Sequence, residues 1–200
     1  MGGALIFLGI AFIAQLVFAK TRFSSRRTGF LLSAAALLLV FGTAAMGSYL
    51  QYKAWEGDAL SRMFLPPYRS FDYFVYYARY HFFDPYLLSA AAGIFFFAAA
   101  RFINRRYGYR FFEIIEPYLI FVALLCVGTP GWMLYVIGFL VTYLVGSIGV
   151  TIYEMGIKKA PAPRVSAYYF WLPSAISTIL ISRWLTSLPL WNVLTFYSAK

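Results

Sequence analysis

Six stretches of this chain are too apolar to face water: residues 3–19, 29–50, 84–103, 113–127, 132–153 and 166–185. Between them the charged residues gather in short clusters rather than scattering. That arrangement constrains the fold more than any motif. An unpaired charge in hydrocarbon is costly, and backbone in lipid must satisfy its own hydrogen bonds, so the choice falls on helices. Of the 200 residues, 62% are hydrophobic and 12% charged, more apolar surface than a water-soluble domain of this length can hide. The expectation is a single transmembrane domain over residues 1–200: all-α, polytopic, about six transmembrane helices, with an interfacial amphipathic helix.

The first stretch, GALIFLGIAFIAQLVFA, has no basic residue before it, and Lys20, Arg22, Arg26 and Arg27 follow it. That polarity is wrong for a cleaved signal peptide, so it reads as a span. In the second, Gly42, Ala44, Ala45, Gly47 and Ser48 offer a small-residue face for a neighbouring helix. Residues 51–83 form a long connection broken at Pro66-Pro67. After the break Phe71, Phe74, Val75, Ala78 and Phe82 recur at helical spacing, opposite Arg69, Asp72, Tyr76 and Arg79. The pattern predicts an aromatic-rich amphipathic helix lying in the membrane interface. His81 is the sole histidine, with no cysteine or histidine to join it, so neither a metal nor a cofactor is expected. Asp84-Pro85 suits the opening of the third span, as N-cap and first helical residue.

Thr129-Pro130-Gly131 is a tight turn that makes spans four and five an antiparallel hairpin. Gly138, Thr142 and Gly146 recur every four residues along the fifth, a face for helix contact. Pro173 lies inside the sixth span and predicts a kink. The last fifteen residues, with Pro189, Trp191 and Tyr197, read as an interfacial tail. Cys126 is alone and mid-span, so no internal disulfide can form.

A net charge of +10 would suggest nucleic acid in a soluble protein. Here the basic residues read as topology signals and lipid headgroup contacts, and no nucleic-acid partner is expected. Eleven of the 17 lie after spans one, three and five, which puts those loops in the cytoplasm and both termini outside, in a plasma (inner) membrane. Glu56, Asp58, Asp72 and Asp84 then fall on the outer side, Glu113, Glu116 and Glu154 on the cytoplasmic side.

Glu113 and Glu116 are three apart at a helix start and share a face. Two carboxyls that close can share a proton, as general acid–base chemistry on a water requires. The simpler reading is that acids favour a helix N-terminus and Pro117 favours its first turn, with Arg105, Arg106 and Arg110 nearby to neutralise them. No phosphate-cradling glycine loop, nucleophile elbow or metal-ligand cluster is present in the sequence.

From LLSAAAGIFFFAAARFINRRYGYRFFEIIEPYLIFVALLCVG to KKAPAPRVSAYYFWLPSA, over residues 87–180, the chain resembles the type IV prepilin peptidases, the Gly-x-Gly-Asp intramembrane aspartyl proteases. The resemblance is one of span order and hydropathy. Phe111-Phe112-Glu113 and Glu116 stand where the family has its acidic motif. The loop after span one, KTRFSSRRTG, holds no acid, which leaves Glu154 as the available cytoplasmic partner. The resemblance implies the fold, catalytic candidates Glu113, Glu116 and Glu154, and a pilin-like leader peptide as partner. Its departures imply an inactive or repurposed relative. Gly131, Tyr135 and Tyr143 also resemble the late helices of prolipoprotein diacylglyceryl transferases, without the His-Gly-Gly and arginine of that site. The sequence therefore leaves three readings: a prepilin-peptidase-like protein, a non-enzymatic subunit among other membrane subunits, and a lipid-modifying or lipid-binding protein that uses the aromatic helix. Whether it is an enzyme stays open.

Overall fold

A computed structural model describes residues 2–17, 25–108, 111–158 and 165–185. Among these the chain is all-α, with six helices: α1 (Gly2–Val17), α2 (Arg26–Gly57), α3 (Phe71–Arg106), α4 (Glu116–Val127), α5 (Gly131–Ile152) and α6 (Trp171–Leu185). Three of them, α2, α3 and α5 with its continuation to Gly156, are long and apolar enough to cross a membrane. The expected interfacial tail and the loops at 18–24 and 159–164 lie outside the described residues.

The order of packing follows from which helix has no polar face. α4, EPYLIFVALLCV, is apolar on every side beyond its first residue, and a helix of that kind must be surrounded. Eleven of its 12 residues are buried, all but Tyr118, and each of the other five helices packs against it. Close approach is allowed by glycines. A Cβ on Gly29 of α2 would lie 2.7 Å from the Tyr118 ring, and one on Gly93 of α3 would lie 3.0 Å from Phe121. The sequence reading started this element at Glu113. The helix starts at Glu116, and residues 111–115 approach it as irregular chain.

The connection between α4 and α5 is the short turn the sequence predicts. Gly128 stops α4 at φ +73°, a conformation that favours glycine, and Trp132 N–H donates back to its carbonyl at 2.9 Å. On α5, Gly138 faces α6 and Gly146 faces the turn just before it. Gly138 looks toward Thr178 of α6, and a Cβ on Gly146 would meet the Phe170 ring at 2.5 Å. Thr142, between them, is exposed.

Two further expectations need correction. The aromatic helix is not a separate element. It runs as Phe71–Ala78 through a π-turn at Arg79–Phe83 straight into Asp84–Arg106. Pro85 has no N–H to return to the His81 carbonyl, and in the wider turn Asp84 N–H donates to Arg79 O five residues back. Asp84 is thus mid-helix, paired with Arg79 at 3.1 Å, and does not cap a new start. The buried Phe74 and Ala78 pack with Leu65 against Tyr52, Trp55 and Phe82. His81 lies against the Tyr77 ring at 4.2 Å. The second correction concerns Pro173. The α-helix begins only at Trp171, after a 3-10 turn at Ala167–Tyr169, so Pro173 occupies the first turn, where no N–H is needed, and it ends up starting the helix instead of kinking it.

Candidate functional site

The two glutamates come together through a residue far away in sequence. Ser166 Oγ lies 3.0 Å from Glu113 Oε1 and 3.2 Å from Glu116 Oε1. The same oxygen accepts the Tyr168 N–H at 3.2 Å. A hydroxyl has one hydrogen to give, so Ser166 donates to one carboxyl at a time while lying within reach of both.

Each glutamate also serves the start of α4. Glu116 N–H donates to the Glu113 carbonyl, and Glu113 N–H donates to Glu116 Oε2, both at 3.2 Å. This reciprocal pair resembles a capping box and ties the irregular segment to the first helical turn. Glu116 is 1% exposed. Glu113 is half-buried.

Two further side chains hold this geometry. Asn104, near the end of α3 and 3% exposed, donates Nδ2 to Phe112 O at 2.7 Å and accepts Phe112 N–H at 2.9 Å. The double bond fixes the residue before Glu113. Gln15, fully buried on α1, donates Nε2 to Tyr168 O at 2.7 Å and so holds the segment that carries Ser166. Sequence reasoning missed Ser166, Asn104 and Gln15. For the last two a signal existed: a lone amide in an apolar or basic helix is poorly placed unless something bonds it.

Glu154 is not brought to the pair. It sits on the π-turn Tyr153–Ile157 that ends α5, and Lys158 Nζ donates to it at 2.9 Å. Among the described residues no three metal-ligating side chains gather.

The carboxyl pair lines one end of a cavity of about 940 Å³ between α3, α4, α5 and the start of α6. Its walls are otherwise apolar and aromatic, with Phe95, Phe139, Tyr143 and Trp171 among them. Phe139 and Trp171 stack with centroids 3.7 Å apart. Tyr143 and Tyr135 spend their hydroxyl hydrogens on backbone, to Val165 O at 3.0 Å and Trp171 O at 3.3 Å. Such a site can hold an apolar body and fix one polar end. The aromatic helix that the sequence offers as a lipid shelf packs Phe74 and Ala78 against α2 and leaves Phe71 and Tyr76 exposed. No family model, curated protein or solved structure matches the chain.

Proposed function

We propose a multi-pass membrane protein that takes an amphiphile from the bilayer into the cavity beside α4, with Glu113, Glu116 and Ser166 as its polar anchor. The observation that carries this reading is an apolar space of about 940 Å³ ending on two converging carboxyls. Ligand pockets run to about 300–1,000 Å³ and pair apolar walls with a few polar groups. The outer surface supports the membrane setting. Ile137, Leu144, Ile148 and Ile152 of α5, Leu38 of α2 and Ile94 of α3 are exposed, as lipid-facing residues are. At about 1.5 Å per residue α4 covers only about 18 Å of a hydrocarbon layer of about 30 Å. The irregular segment before it is then backbone at membrane depth, which is tolerated where it borders a cavity. The basic ends of α2 and α3 belong in the cytoplasm of a plasma (inner) membrane. The test is to purify the protein in lipid nanodiscs and weigh what stays bound after washing. Retention of an amphiphile that Ala99→Trp, which fills the cavity, expels is expected. Identical lipid content in both forms would overturn the reading.

A second reading keeps the prepilin-peptidase-like chemistry. The placement of Glu113 and Glu116 within reach of one hydroxyl favours it, because a water at that point could be activated by a shared-proton pair. Both acids come from the start of one helix, Glu113 from the irregular chain just before α4 and Glu116 from its first residue, whereas the family draws its pair from two helices. Replacing both with Gln and assaying a pilin-like leader decides the matter. Processing that is absent, or unchanged by the substitution, removes the catalytic reading.

A further inference from the structure

We infer that Arg26, Arg101 and Arg105 form a site for a phosphate group, and that a membrane phospholipid with a terminal phosphate supplies it. The inference does not draw on the cavity, since none of the residues around this cleft lines that space.

The three arginines come from helices far apart in sequence, the start of α2 and the end of α3, and line one small cleft with Asn104 and Pro117. No acid answers them. The ion pairs among the described residues are Lys53–Glu56, Arg79–Asp84 and Lys158–Glu154, all elsewhere. Glu113 and Glu116 turn to Ser166 and the cavity. The Asn104 amide is spent on the Phe112 backbone, at both its oxygen and its nitrogen. Guanidiniums keep their charge in a protein, so the three repel one another. The end of α3 accounts for Arg105, because a helix C-terminus favours a cation. It does not account for Arg26. α2 opens on Arg26 and Arg27 with no acid in its first turn, which sets two cations at the positive end of a 32-residue helix. An anion between Arg26 and the arginines of α3 offsets both penalties.

The chemistry of the side chains selects the anion. Guanidiniums take phosphate oxygens through paired, charge-assisted hydrogen bonds. Three of them suit a phosphomonoester, at about −1.5 to −2 near neutral pH, better than the single charge of a diester. The surroundings indicate what the phosphate is attached to. Tyr118, at the edge of the cleft, is the residue of α4 left partly uncovered. Gly29 of α2 lies against its ring, and Phe97 of α3 meets it edge-on at 5.0 Å. Phe30 and Leu31 on α2 and Phe102 on α3 are exposed within about a turn of the arginines. Apolar surface beside the cleft suits acyl chains, which a soluble anion lacks.

The experiment measures binding of tritiated dioleoyl phosphatidic acid to the full chain in neutral detergent, with dioleoylglycerol and inorganic phosphate as competitors. Neither should displace the lipid at concentrations where unlabelled phosphatidic acid does. Arg101→Gln with Arg105→Gln should weaken binding at least about tenfold more than Arg27→Gln with Arg106→Gln, which removes the same charge outside the cleft. Equal losses would overturn the site and leave only diffuse attraction to basic helix ends. Displacement by dioleoylglycerol would also overturn it, because the chains and not the phosphate would be read. Displacement by inorganic phosphate would keep the phosphate site and overturn the lipid as its source. If the first pair of substitutions fails to fold, Arg105→Gln against Arg106→Gln, both on exposed residues, makes the same comparison. None of these outcomes touches the reading of the cavity.

Discussion

Asn104 and Ser166 set the positions of Glu113 and Glu116, and neither stands near both in sequence. The spacing of Glu113 and Glu116 predicts a common helical face, but Glu113 lies in the irregular chain before α4, and the two are joined there by reciprocal hydrogen bonds from their backbone N–H groups. Their meeting with Ser166 is not legible, because it depends on how the segment after residue 164 folds back on α4. Two predictions belong here. Asn104→Ala strips Phe112 of both backbone partners in a half-buried setting and should cost about 2 kcal/mol. In a thermal melt of the detergent-solubilised protein that is a fall of about 4–8 °C. Ser166→Ala should cost about 1–2 kcal/mol, since both carboxyls and the Tyr168 N–H lose a neighbour. If the bridge is real, the cost of combining it with Glu113→Ala falls short of the two single costs added together by at least about 0.5 kcal/mol. Strict additivity would mean the two side chains do not interact in the folded protein.

Helical runs were readable because apolar stretches and their breakers are local properties. The Thr129-Pro130-Gly131 turn and the helices on either side of it follow from that. What was not local was harder to see. Asp84-Pro85 looks like a helix start, yet α3 passes through it, because the π-turn absorbs the missing N–H and Phe74 and Ala78 hold the earlier turns on α2. Glycines show the same limit. The small-residue pattern marks Gly42 for the contact face and does not include Gly29. In the fold Gly29 lies under the Tyr118 ring, while nothing approaches Gly42 within 4 Å. Gly29→Ala should therefore force α2 from α4 and destabilise by about 1–3 kcal/mol. Gly42→Ala should be neutral or stabilise by up to about 1 kcal/mol through helix propensity. Parallel unfolding curves for the two variants check this, and equal effects would mean that α2 and α4 are not in contact at Gly29.

At the scale of the molecule, the sequence places its cations by span and the fold places them by end, and the two can be compared. Arg26, Arg101 and Arg105 surround a small cleft with Asn104 and Pro117, so the start of α2, the end of α3 and the start of α4 lie together. The turn before α5 returns the chain from the opposite end, where Thr129 N–H donates to Pro85 O at 3.2 Å. α5 then runs back past the Ser166 segment toward Glu154 and Lys158. The long excursion with Leu60 and Met63 leaves from the other end of α2. A bilayer around the exposed apolar belt would divide these groups cleanly. The chain has one cysteine, buried Cys126, so Cys126→Ala gives a silent background for labelling. Added singly to it, Arg27→Cys, Tyr107→Cys and Met155→Cys should resist a membrane-impermeant maleimide on intact spheroplasts and react once the membrane is opened. Leu60→Cys should react from outside at once. Labelling that splits the first three sites between the two faces would contradict both the charge rule and the helix order, and the carboxyl pair would lose its assigned cytoplasmic side. Labelling that groups them but with the opposite polarity would spare the fold and the cavity, and only reverse the leaflet from which an amphiphile's head reaches Glu113.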